Sequence, residues 1–203
     1  GPGTLGDEPV PVPAVASVFA AIVDSKSPYT AGHSERVGAL SGAMAEELGA
    51  PVSLLVLAGL LHDLGKLAVP NTILDHPGSL DEAAWALIRR HPADSARVLR
   101  TVDGWEEVAR IAAVHHERPD GRGYHRELEE QDLPRFGTWL AAVDSFDAMT
   151  ADRPYRDGMD PDDALEELRR GAGTQFTHEA VETLEAVIEA GSVGGQHDRC
   201  AVA

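Results

Sequence analysis

From Leu54 to Leu64 the chain is apolar at every position except two, His62 and Asp63 near its end. So apolar a run belongs inside a core, yet burying an imidazole and a carboxylate without partners is costly. The fold must therefore bring other polar groups, or a cation, to this pair. The same tension recurs along the chain. His33 opens a segment whose apolar residues Val37, Leu40, Met44 and Leu48 fall at helical spacing. His91 is read as ending a later helix, His115-His116 as closing another, and Asp144 sits inside the apolar run from Phe136 to Met149. Helix ends and facing sides can converge on one cavity, which is how metal sites in helical bundles are built.

Residues 14 to about 190 read as a succession of helices, with no alternating pattern that would call for strands. Gly49 and Pro51 stop the helix that begins near His33, and Ser53 is placed as the cap of the next, which runs through Leu60 and Leu61 to Gly65. Ser79 and Glu82 form a capping-box pattern ahead of Trp85 and Ile88. Val108, Ile111 and Ala112 carry a helix into His115, and Phe136 to Met149 forms another. Asp160-Pro161 supplies a cap and a first-turn proline, and Thr177 begins a last helix that ends at Gly191. Residues 66–78 and 117–134 are left as long non-helical stretches, where functional loops are expected. The expected fold is all-α, a compact bundle of seven or eight helices.

The organisation follows. Gly1-Pro2-Gly3 reads as a cleavage scar, residues 1–13 as a flexible lead-in, 14–191 as one domain and 192–203 as a flexible tail. A formal charge of −17 repels a polyanion and argues against binding a nucleic-acid polymer. The sequence has neither a membrane-length apolar run nor a leader pattern, so a cytoplasmic protein without membrane association is expected. Its single cysteine, Cys200, offers neither a disulfide nor a thiolate cluster.

A lone histidine on an apolar helix is more often a hydrogen-bonded core residue than a ligand. His76, His178 and His197 keep that ordinary reading. The pairs His62-Asp63 and His115-His116 are harder to dismiss, because each puts two ligand-type groups at one helix end. Imidazole with carboxylate and no thiolate suits iron, manganese, zinc or nickel rather than calcium.

The motifs themselves resemble the HD-GYP subgroup of HD-domain phosphohydrolases. They run from Tyr29-Thr30-Ala31-Gly32-His33-Ser34-Glu35-Arg36-Val37 through Leu61-His62-Asp63-Leu64-Gly65-Lys66, Val69-Pro70 and Pro77-Gly78 to His91-Pro92. They continue through His115-His116-Glu117-Arg118, Asp120-Gly121, Gly123-Tyr124, Asp144 and Asp152-Arg153-Pro154-Tyr155-Arg156, covering roughly residues 28 to 190. Two positions depart from the pattern. His125 stands where the subgroup has its proline, and Tyr29 stands where some members place a glutamate for a third metal.

The resemblance implies two transition-metal ions, iron or manganese, with Asp63 bridging them. His62 and Asp144, with His33 nearby, would serve one ion, and His91, His115 and His116 the other. Paired cations can lower the pKa of bound water from about 15.7 towards about 7 and neutralise charge on a reacting phosphate. Lys66 would touch that phosphate, Arg153 and Arg156 the substrate's second phosphate or base, and Gly123 and Tyr124 would flank the substrate. The implied activity is hydrolysis of a cyclic dinucleotide, cyclic di-GMP, to the linear dinucleotide or GMP. A homodimer and fusion to a regulatory domain in a longer protein are expected. Three alternatives stand beside this reading: an HD-type phosphohydrolase of another nucleotide, an inactive sensor of cyclic di-GMP, and a metal-free dimerisation module.

Overall fold

The computed structural model describes residues 12–28, 30–124, 128, 130–152 and 157–198. Among them there are ten α-helical segments and no strand, only an isolated bridge between Ala172 and Phe176. The segments are α1 (Val12–Asp24), α2 (His33–Glu47), α3 (Val52–Leu61), the single turn α4 (Asn71–Leu74), α5 (Glu82–Arg89), α6 (His91–Leu99), α7 (Glu106–Ala112), α8 (Arg135–Thr150), α9 (Pro161–Gly171) and α10 (His178–Asp198). Short 3₁₀ helices cover Leu64–Ala68 and Glu130–Asp132.

The all-α expectation holds, and the two segments the sequence hid are α4 and α6. α4 is one turn without a buried residue, so it carries no apolar stripe. α6 follows α5 with only Arg90 between them, so the two read as one helix in sequence. His91 therefore opens a helix instead of ending one, with Pro92 in the first turn where a missing N–H is harmless. Other expected boundaries shift as well. Pro51 precedes α3 and Ser53 lies inside it. Asp81, not Ser79, caps α5 by accepting from the Ala84 N–H at 2.8 Å. The last helix passes Gly191 and runs to Asp198, since a glycine lowers helix propensity without having to end a helix.

α2 and α3 form the centre of the bundle. They cross without an intervening side chain: a Cβ on Gly59 would lie 2.6 Å from the Gly38 Cα, and one on Gly42 2.8 Å from Val56. The turn between them uses Gly49 at φ 63°, left-handed backbone that favours glycine. α8 packs on α2, α3 and α7, and α10 closes over α2, α8 and α9. Met44, Leu55, Leu99, Ile111, Trp139, Leu140, Leu168 and Leu184 are essentially fully buried and form the core. α1 covers the outside of α2 and α3 with Ala16, Ala20 and Val23, and leaves Val12, Val15, Val18, Phe19 and Ile22 between 42% and 59% exposed. No described helix is long and apolar enough to cross a membrane.

Candidate metal centre

Seven ligand-type side chains meet at one end of the bundle. His33 comes from the start of α2, His62 and Asp63 from just past the end of α3, and His91 from the start of α6. His115 and His116 follow α7, and Asp144 projects from the middle of α8. These are the residues singled out in the sequence.

The two oxygens of Asp63 face different sets. Oδ2 lies 3.4 Å from His62 Nε2 and 3.7 Å from His33 Nε2. Oδ1 lies 3.1 Å from His91 Nε2 and 3.9 Å from His115 Nε2. Asp144 joins the first set, its Oδ1 3.2 Å from His33 Nε2 and 3.8 Å from His62 Nε2. His116 joins the second, its ring tilted against His115 with centroids 4.1 Å apart. Potential ligand atoms of His91, His115 and His116 all fall within 4.8 Å of one another, as do those of His33, His62 and Asp144.

Do these residues fit a cation? The outward nitrogens answer. Nδ1 of His62, His91 and His115 lies 2.7, 2.7 and 2.6 Å from the carbonyl oxygens of Gly59, Ile88 and Ala112. A carbonyl only accepts, so each Nδ1 carries the proton and each neutral ring turns an Nε2 lone pair inward. Yet His91 Nε2 and His115 Nε2 stand 3.1 Å apart. Two lone pairs at that distance repel unless a positive charge lies with them. His62 Nε2 and Asp63 Oδ1 are also buried without a hydrogen bond. Orphaned acceptors converging on one point are the signature of a cation site.

The charge states of His115, His116 and Asp63 agree with this. Burial pushes His116 down to about 3. It pushes His115 well below the usual imidazole range, helped by the crowding of His116, His62 and His91. Asp63 is buried, which alone would raise it, but the Lys66 ammonium beside it holds it well below the usual carboxylate range. His33 goes the other way: burial opposes its charge, but hydrogen bonds to Asp144 and Asp147 raise it to about 10.

Two residues at the centre escaped the sequence reading. Asp147 Oδ2 accepts from His33 Nδ1 at 2.7 Å, one helical turn beyond Asp144. Arg36 grips the same carboxylate, Nε to Oδ1 at 2.5 Å and Nη2 to Oδ2 at 3.0 Å. The i, i+3 spacing of Asp144 and Asp147 on one helix, and of His33 and Arg36 on another, was the available signal.

Lys66 sits on a 3₁₀ turn, not on a continuation of α3, and its Nζ donates to Asp63 Oδ2 at 2.5 Å. Gly65 is there for space: a Cβ would run into the His91 carbonyl, so this glycine seats the start of α6 against the Asp63 turn. Tyr124 lies on His116 with ring centroids 4.4 Å apart. Gly123 permits this, because a Cβ there would lie 2.6 Å from the Glu117 Cα, while Gly121 at φ 71° makes the turn. Tyr29, His125, Arg153, Arg156 and Cys200 lie outside the described residues. A cleft of about 290 Å³ opens onto His33, His91, His116 and Asp144, with Arg36, Lys66 and Tyr124 on its walls.

Comparison with known proteins agrees with this geometry. A family model described as HD domain matches residues 17–179. The 3'3'-cGAMP-specific phosphodiesterase 3 of Vibrio cholerae is 40% identical over 177 residues, 86% of this chain and 38% of that protein. A cyclic di-GMP phosphodiesterase of Thermotoga maritima is 38% identical over 157 residues, 75% of this chain and 43% of that protein. The chain thus spans less than half the length of these relatives. A solved HDG"Y"P protein from Bdellovibrio bacteriovorus shares the fold, with TM-score 0.62, 22% identity, and coverage of 88% of this chain and 59% of that one. The HD-GYP resemblance read from the motifs holds. With the family model spanning most of its helices and the His-Asp pair at their meeting point, the chain belongs to the HD-domain family.

Proposed function

We propose that this domain is a metal-dependent phosphodiesterase that hydrolyses cyclic di-GMP to the linear dinucleotide or GMP. The observation that carries the reading is the carboxylate of Asp63, with one oxygen turned to His33 and His62 and the other to His91 and His115. That arrangement fits a bridge between two ions, iron or manganese. His33, His62 and Asp144 would hold one, and His91, His115 and His116 the other. Bound there, the pair would supply an acidified water and offset charge growing on the phosphate. The relatives named above act on 3'3'-cGAMP and on cyclic di-GMP, which supports the substrate class.

The chain's own residues have separable tasks. The carbonyls of Gly59, Ile88 and Ala112 and the carboxylate of Asp147 fix the tautomer and aim of four imidazoles. Lys66, beside Asp63 and on the cleft wall, is positioned to meet a phosphate oxygen. Tyr124 borders the bound substrate, with Gly123 setting its place. Arg153 and Arg156 keep their proposed contact with the second phosphate or base.

Asp63→Ala tests the reading, since loss of a bridge disturbs both ions together. Wild type and variant are loaded with iron or manganese under reducing conditions, and products are separated by chromatography. Hydrolysis by wild type and a loss of at least about 10²–10³ in rate in the variant, with helical circular dichroism retained, are expected. A panel with 3'3'-cGAMP and nucleotide monoesters decides between substrates. Tight binding of cyclic di-GMP without turnover by loaded wild type would make the domain a sensor.

A homodimer in the cytoplasm belongs to the same proposal. Val12, Val15, Phe19 and Ile22 repeat at alternating three- and four-residue steps along the exposed face of α1, the seam of a two-stranded helix pair. That face carries no charge of its own, so a second copy meets no like charge at the contact itself. Sedimentation should find a dimer that Phe19→Glu dissociates; a wild-type monomer across the micromolar range removes this part.

A further inference from the structure

The site chemistry accounts for the polar floor of the cleft but not for its lip. On that lip stand Trp85 and Ile88 from α5 and Leu74 from α4. α5 has no buried residue at all, and the Trp85 indole is 37% exposed. A large apolar ring left half in water beside a charged cavity invites an aromatic or apolar partner. Tyr124, on the same cleft, has a ring already lying on His116. Trp85, among the described residues, packs against no other ring; the Arg89 guanidinium lies over it, 5.7 Å from the indole centroid.

The cleft is thus divided by chemistry. Imidazoles, carboxylates and Lys66 line the end where a phosphodiester would be cut, and an uncommitted indole beside a guanidinium lines the mouth. An aromatic face beside an arginine is how proteins hold unpaired bases, because every base offers a π-face and stacking tolerates sequence. We infer that Trp85 is the stacking surface for a nucleobase of the substrate, holding it at the mouth while its phosphodiester reaches the His/Asp floor. This rests on the phosphodiesterase reading above and adds to it the residue that recognises the base. It also gives α5 a purpose that burial does not.

Two measurements test it. In steady-state hydrolysis of cyclic di-GMP by metal-loaded protein, Trp85→Ala should raise KM about five- to a hundredfold with kcat little changed, as expected when stacking is alike in ground and transition states. Trp85→Phe should restore most of the loss. In stopped-flow mixing with cyclic di-GMP, wild type should show rapid tryptophan quenching that Trp85→Phe lacks, since Trp139 is fully buried and Trp105 only partly exposed. Quenching that persists in Trp85→Phe, or an unchanged KM in Trp85→Ala, overturns the assignment. Should Trp85→Ala fail to fold by circular dichroism, the Trp85→Phe quench decides. Wild type that cleaves no cyclic dinucleotide strikes the phosphodiesterase reading instead, and its quenching by cyclic di-GMP still tests the stack.

Discussion

Asp147 shows how much a single residue outside the ligand set can decide. It does not face the other carboxylates; it takes the outward Nδ1 of His33 and is itself clasped by Arg36. Such a partner fixes which nitrogen of the ring is free and how basic it is. Asp147→Asn keeps the shape and removes the charge. Metal affinity, measured by competition with a chelator, should fall about 10–100-fold, with the helical fold intact. An unchanged affinity would mean that the Asp144 contact alone orients His33. The aspartate was present in the sequence three residues after Asp144, but that spacing alone does not tell a partner of a ligand from a ligand.

At the scale of elements, the site exists because α2 and α3 touch backbone to backbone. His33 begins one and His62 follows the end of the other, and the crossing at Gly38 and Gly59 sets the distance between them. Gly59→Ala forces a methyl group to within 2.6 Å of the Gly38 Cα, so the helices must separate. We expect a loss of about 1–3 kcal/mol in unfolding free energy by denaturant titration, together with weaker metal binding than wild type. Retained stability would show that the crossing can shift without cost. Helix existence was legible from apolar spacing, whereas the α5–α6 break at Arg90 was not: Trp85, Ile88 and the residues after His91 keep a helical rhythm across it. The packing of α6 against the turn after Asp63, for which Gly65 leaves room, seats the start of α6 there.

For the whole molecule, five histidines and two aspartates drawn from five segments mean that a cation bound at the centre ties together most of the fold. A ligand that binds only the folded state adds RT ln(1 + [L]/Kd), about 2.7 kcal/mol at a hundredfold excess over Kd. Removal of metal by a chelator should therefore lower the thermal midpoint by several degrees, and restoring iron or manganese should recover it. Identical midpoints with and without metal would mean that the acceptors are held apart by the helices alone.

The sequence alone determined the helical class, the approximate helix positions from Val37 to Thr177, and the identity of the residues that cluster, because apolar periodicity and ligand-type side chains within apolar runs are local properties. Tertiary structure decided what local pattern cannot carry. It turned the two oxygens of Asp63 to different histidine sets and gave His33 the support of Asp147 and Arg36. It also left Trp85 at the mouth of the cleft instead of in the core. The reason is physical: direction and distance between side chains from separate helices are set by how the helices cross, and a crossing depends on the glycines and contacts of both partners at once.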